Sequence, residues 1–201
     1  MKSSSLSVEN SEMSDKIKDH IAQLYDNNIY LPTKTMFLTG GVDDDLYNNA
    51  IKGLHLLDSY AGPINIKLMS EGGDLVVARA LFDALQGCKN YVRIIVYGEA
   101  CSAATIILQA ADSRVMSHNS KLMIHVGAES IGEDHPRNVD QLYIQHRDDE
   151  KWIEDIYLKK IKEKKKRFTR QQLKNLIVWD KYLSPKESLD LGLIDSIGEP
   201  Q

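Results

Sequence analysis

Two patterns of apolar residues alternate along this chain: short dense runs, and stretches in which they return every third or fourth position. The first helical pattern runs from Asp15 to Tyr25, with Ile17, Ile21 and Leu24 on one face. Asn27 and Asn28 end it, and Pro32 keeps the following stretch extended. TMFLTG (35–40) predicts a buried strand, after which Asp43 to Asp45 can cap a helix carrying Leu46, Ile51, Leu54 and Leu57. PINIKLMS (63–70) predicts a second strand with Ile64, Ile66 and Leu68 on one face. A glycine turn, Gly72-Gly73-Asp74, then opens a helix bearing Val77, Leu81 and Leu85. YVRIIVYG (91–98) is a third strand, followed at once by the helix SAATIILQAA, and SRVMS (113–117) and KLMIH (121–125) are two further short strands. Strand and helix alternating at this pitch imply an α/β fold with substantially parallel pairing.

Beyond Pro136 the texture changes. The stretch 138–168 holds no Gly or Pro and repeats Leu142, Trp152, Ile156 and Ile161 at helical spacing. A helix of about 30 residues reaches ~45 Å, longer than a small domain is wide. It must project, its apolar stripe needs a cover, and self-association is predicted. A short helix capped by Thr169 follows, then SPKESLDLG, where Ser184-Pro185 is a helix start and Gly192 a stop, and a final strand LID (193–195). Residues 1–14, rich in Ser, Glu and Asn, predict a flexible tail, leaving 15–201 as a single domain.

Composition narrows the classes. The 201 residues carry 25 Lys+Arg and 29 Asp+Glu, a net charge of −4 that argues against a nucleic-acid partner. The basic run KEKKKR (162–167) sits at a predicted helix end, behind acidic residues, and reads as a solvated charged face. Two cysteines, Cys88 and Cys101, exclude a disulfide framework and a Cys-based zinc site. No apolar run approaches the roughly 20 residues of a membrane span, and the N-terminus has no secretory signal, so the expectation is a cytoplasmic protein.

The candidate chemistry lies at strand ends. Ser102 in GEACSAATIILQAA stands at a strand-to-helix junction, where a tight turn can present a hydroxyl; the same position suits a plain helix cap. Gly72-Gly73 can bring backbone N–H groups close to a ligand, or simply turn the chain. Among six histidines His125 alone ends an apolar strand, whereas His146 lies on the long exposed helix. No pair has zinc-protease spacing, so no metal is expected. Asp180 in VWDKYLS and Asp195 in the last strand are both candidate acids, and Cys101 is a rival nucleophile.

In order, FLTGGVDD, SEGGD, GEACSAA, NSKLMIH and WDKYLSPKESLDLGLID resemble the ClpP family of serine peptidases, the proteolytic subunit of the Clp protease, from Met36 to Ile197. The resemblance implies Ser102 as nucleophile, His125 as general base and Asp180 as the acid that orients it. It implies Gly73 and Ala103 backbone N–H groups as the oxyanion hole, sets Asp195 outside the triad, and calls for no cofactor. The implied fold is ClpP/crotonase-like, an α/β fold of repeated β-β-α units with a projecting long handle helix at about 138–168. The implied partners are copies of itself in stacked heptameric rings, an AAA+ unfoldase that uses the ATP, and polypeptide substrates. The chain departs from the family pattern at Glu71, where the motif has Pro, and at Val126-Gly127 after the histidine. Asn65 and Lys67 replace aromatic positions of the unfoldase pocket, which argues against docking of a standard unfoldase and marks a divergent member. A ring-forming scaffold with a drifted site and a crotonase-like acyl-CoA enzyme are the alternatives; the intact Ser-His-Asp set argues against both.

Overall fold

In a computed structural model the structure describes residue 13 and residues 15–19, 21–22, 27–127 and 136–198. Of the tail expected over 1–14 only Met13 falls among them, and it is helical, as are the described residues 15–19 and 21–22; Leu24 and Tyr25 lie outside the described residues.

The strands are β1 (Ile29–Tyr30), β2 (Thr35–Val42), β3 (Ile64–Gly73), β4 (Val92–Cys101), β5 (Ser113–Met116), β6 (Lys121–Ile124), β7 (Lys181–Leu183) and β8 (Ser196–Ile197). The helices are α1 (Asp44–Asp58), α2 (Leu75–Gln86), α3 (Ala103–Gln109), α4 (Pro136–Lys164), α5 (Arg170–Ile177) and α6 (Pro185–Leu191). Four of the helices start on a side-chain cap. Asp43 accepts the Leu46 amide, Asp74 accepts those of Val76 and Val77, and Thr169 and Ser184 form capping boxes with Gln172 and Glu187.

The sheet runs β1-β2-β3-β4-β5-β8, parallel from β2 onward, with β6 on the far half of β4 and β7 antiparallel to β6. Its central strands bury Ile64, Ile66, Leu68, Ile94 and Val96 completely, against Leu57, Leu81 and the wholly buried α3. Several strand boundaries differ from expectation, β2 among them, which runs two residues past Gly40 to Val42. β3 continues through Gly72 and Gly73, because both still pair with Gly41 and Val42 of β2. β4 does not stop at Gly98: it bends there (φ +63°) and continues to Cys101, since a new neighbour, β6, takes over its hydrogen bonds. The last strand is not 193–195 but β8; Leu193 and Ile194 are core residues of the preceding turn, and Asp195 lies just ahead of the strand.

Helix α4 spans 136–164, starting two residues earlier and ending four earlier than expected. At 29 residues it is about 43 Å long. Only its second half docks: Ile153, Ile156, Tyr157, Leu158 and Ile161 are buried, whereas Leu142, Tyr143 and Ile144 are exposed. The buried Glu154 holds Arg170 and Lys174 of α5, and Arg79 of α2 pairs with Asp149 (2.6 Å) while lying over the Trp152 ring. Gly192 lies against Lys160 and Ile161, so the C-terminal turn packs on the handle base.

One buried charge joins the C-terminal segment to the sheet. Arg114, at 4% exposure, donates through Nε and Nη2 to Asp195 (3.1 and 2.5 Å) and through Nη1 to Gln109 Oε1 and the Gly192 carbonyl. Burial pushes the Asp195 carboxyl up, and hydrogen bonds and charge from Arg114 outweigh that and hold it below its ordinary value of 3.8. A group with a depressed folded pKa contributes stability fully above its unfolded value, and loses it as pH falls through the folded one. Asp195→Ala should therefore cost about 2 kcal/mol at pH 7 by stranding Arg114. In urea titrations the gap to the wild type should narrow below pH 4; a constant gap would contradict the assignment.

Candidate active site

The register of β4, β6 and β7 assembles the site. β4 and β6 pair in parallel through Ala100–Leu122 and Cys101–Met123, and the Ser102 amide completes the ladder by donating to the Met123 carbonyl (2.8 Å). β6 and β7 pair antiparallel, ending on Ile124–Lys181, so the next opposed pair is His125 and Asp180. With its proton on Nδ1, His125 donates to Asp180 Oδ1 (3.0 Å) and accepts the Ser102 hydroxyl at Nε2 (2.7 Å). Three side chains from distant segments thus form one hydrogen-bonded chain.

Ser102 occupies the N-cap position of α3 without capping it. Its backbone sits at φ +52°, ψ −123°, its hydroxyl makes no cap bond, and it faces His125 instead. Such a backbone costs ~1–3 kcal/mol in a non-glycine residue and persists only where neighbours enforce it. Here the Ser102 amide is held by Met123, and its carbonyl accepts the Thr105 amide (2.9 Å) and Thr105 hydroxyl (2.6 Å). Thr105 in turn meets the Tyr157 hydroxyl of α4 at 2.5 Å, and both side chains are buried, which drives the Tyr157 phenol pKa far up. The docked half of the handle therefore reaches the turn that carries Ser102. Neither Thr105 nor Tyr157 carried a sequence signal beyond an apolar periodicity.

The glycine pair closes the other side. Gly72, at φ +97°, packs so tightly on the serine turn that an added Cβ would lie 2.6 Å from the Cys101 carbonyl oxygen, 2.8 Å from Ser102 Cβ and 3.2 Å from the Ala103 amide nitrogen. Gly73 presses on Val42 in the same way. The Gly72 amide goes to Ser70 Oγ and that of Asp74 to the Val42 carbonyl; the Gly73 amide lies between these two. Ala103 is the first residue of α3, where an N–H has no acceptor within the helix. Gly73, Ala103, Ser102 and His125 line one cleft of about 350 Å³.

Cys101, the rival nucleophile, points elsewhere. It is 5% exposed, its thiol donates to Glu99, and burial followed by the Glu99 charge pushes its pKa up to about 11. A thiol so protonated at neutral pH is a poor nucleophile. Asp195 serves Arg114, far along the sheet from His125. His146, expected on an exposed face, is instead half-buried in the cleft wall beside Glu150 (3.2 Å). Glu71 and Gly127 are exposed, and Val126 lines the cleft. On β3, Asn65 donates to the Thr33 carbonyl and the half-buried Lys67 lies over the Tyr97 ring. Among the described residues no group of three His, Cys, Asp or Glu side chains comes together as a metal would need, and no helix is long and apolar enough to cross a membrane.

A twisted parallel sheet whose fourth strand forks between two neighbours, with a long arm helix packed by half its length, defines a single fold class: that of ClpP. Residues 14–201 match the family model described as Clp protease, and the chain belongs to that family. The ATP-dependent Clp protease proteolytic subunit 2 of Leifsonia xyli subsp. xyli is 27% identical over 189 residues, covering 90% of this chain and 79% of that protein. An asparagine-to-aspartate mutant of ClpP1 from Listeria monocytogenes superposes with a TM-score of 0.75 at 23% identity, over 85% of this chain and 94% of that one.

Two substitutions probe this packing. Gly72→Ala drives a Cβ into two backbone groups at a left-handed φ, and should destabilise the protein by at least ~2 kcal/mol in urea denaturation. Tyr157→Phe removes one buried hydrogen bond yet leaves Thr105 bonded to the Ser102 carbonyl, so the same measurement should show a loss of only about 1 kcal/mol. Equal losses would contradict the geometry.

Proposed function

We propose that this chain is a serine endopeptidase that cleaves peptides and unfolded polypeptides inside a ring of its own copies. The observation that carries the reading is the unbroken path Ser102 Oγ, His125 Nε2, His125 Nδ1, Asp180 Oδ1, with steps of 2.7 and 3.0 Å. In this reading Ser102 Oγ attacks the scissile carbonyl carbon while His125 Nε2 takes its proton. The imidazolium, held and stabilised by Asp180, returns that proton to the leaving amine, and water repeats the sequence to release the acyl group. The Gly73 and Ala103 amides would receive the oxyanion; one such donor is typically worth about 3 kcal/mol of barrier.

Exposed apolar side chains favour assembly. Trp179, at 81% exposure, with Val178 and Tyr182 flanks Asp180, whose own side chain is 60% exposed, and the undocked half of α4 exposes Leu142, Tyr143 and Ile144. Large apolar side chains so displayed mark surfaces that another chain covers. Copies stacked as heptameric rings through α4 would cover both patches and enclose the cleft. The name of the Leifsonia relative includes ATP dependence, which here would come from a separate AAA+ unfoldase. Asn65 and Lys67 make the β3 surface polar, so that partner would need a polar docking segment rather than an apolar one.

A fluorophosphonate probe on the full-length protein, with peptide mass spectrometry and the assembly mass taken on the same sample, tests this. The expected result is an adduct on Ser102 in a large ring. Ser102→Ala should retain the ring and lose at least ~1000-fold in peptide hydrolysis. Retained hydrolysis, or a well-formed ring that never labels, would overturn the reading.

A further inference from the structure

The wall facing Ser102 across the cleft belongs to one face of α4, where His146, Glu150, Ile153 and Tyr157 follow one another at helical spacing. The docked end of that face is apolar. Tyr157 and Ile153 are buried, and Ile106 of α3 joins them. One to two turns back, the face becomes acidic: Glu150 and Asp149 are half-buried, and the exposed Asp74 also lines the cleft. No lysine or arginine lines the cleft among the described residues. Arg79, from outside the lining, pairs with Asp149, and Asp74 is engaged in capping α2. Glu150 has His146 beside it at 3.2 Å. With Asp149 matched by Arg79 and Asp74 engaged as a cap, Glu150 is the carboxylate of this lining that neither a cation of the fold nor a helix start occupies.

We propose that this cleft is the pocket for the side chain on the acyl side of the scissile bond, and that it selects lysine and arginine there. The proposal rests on the acyl-transfer reading of Ser102 and adds the substrate class to it. A lysine or arginine side chain carries both parts of the match: a methylene stem for Ile106, Ile153 and Tyr157, and a cationic head for the partly exposed Glu150 carboxylate. A leucine side chain would use the floor alone, and an aspartate or glutamate would meet like charge at the rim. Charge at a partly solvated rim discriminates by attraction and repulsion together, so the preference is of the order of ten-fold. Glu150 is the specificity-determining residue, because Asp74 and Asp149 already serve the fold.

The test uses the assembled full-length protein and four aminocoumarin peptides that differ only in the residue before the coumarin: Arg, Lys, Leu or Glu. The expected order in kcat/KM is Arg and Lys at least about ten-fold above Leu, with Glu lowest. Glu150→Gln, which keeps the side-chain shape, should lower the Arg/Leu ratio about ten-fold, and Glu150→Lys should raise the Glu substrate above Arg. A fluorophosphonate without any peptide side chain reports Ser102 independently. Labelling with Leu preferred over Arg, or a ratio indifferent to both Glu150 variants, overturns the pocket and leaves the acyl-transfer reading standing. Absence of both labelling and cleavage overturns that reading and the pocket with it.

Discussion

Everything at this site depends on one strand having two successive neighbours along the same edge. The first half of β4 pairs with β5 and buries its side chains in the sheet centre; after the bend at Gly98 its last three residues pair with β6. That fork creates an edge at which β4 ends just before Ser102 while β6 ends just before His125. It also fixes the two ends relative to each other through backbone hydrogen bonds, the most geometrically exacting contacts a sheet has. β7 then hangs on β6 in the antiparallel register that opposes Asp180 to His125. A one-residue slip in either ladder would turn the imidazole or carboxylate to the other face. The alignment of three side chains is therefore a property of sheet register more than of side-chain packing.

The strain at Ser102 is the second half of that arrangement. A hydroxyl that caps its own helix has its oxygen committed to a backbone amide. Forcing Ser102 into a left-handed backbone turns its hydroxyl toward the imidazole, and the neighbours that hold it there are all buried: Met123 on its amide, Thr105 on its carbonyl, Gly72 against its Cβ. Because Thr105 also bonds Tyr157, part of that restraint comes from the handle helix. The helix is thus a wall of the cleft and a brace for the serine turn, while its free half offers an apolar surface away from both. Docking it through buried Glu154, with its two cations from α5, ties the C-terminal third of the chain to the same brace.

Much of this was legible in residue order. The central residues of the strand runs at 35–40, 63–70 and 91–98, the caps at Asp43, Thr169 and Ser184, and the Gly192 stop all act locally, over a few residues, and form where the pattern puts them. Ser102, His125 and Asp180 were visible as candidates because each ends an element, and the ordered motifs of the family gathered them. Their mutual distances were not visible, because 23 and 55 residues separate them along the chain. The ends of β3 and β4 were placed short for the same reason: Gly72, Gly73 and Glu99 look like turn residues until a partner strand is known. Asp195 looked like a possible catalytic acid because nothing in its own segment announces Arg114, 81 residues away.

The sequence by itself determined the secondary structure, the alternation that makes the sheet parallel, a helix too long for the body it belongs to, and the family. The first three follow from local propensity and from hydrophobic periodicity, which act between near neighbours; the family follows from the order of its motifs along the chain. The tertiary structure alone decided that Ser102 is turned out of its cap, that Cys101 is buried and protonated, that Asp195 is structural, and that α4 presents an acidic rim and apolar floor to the cleft. Each of these is set by what a residue meets from a distant segment. Burial, strain and charge pairing arise only when the chain closes on itself, and no reading confined to neighbours along the chain contains them.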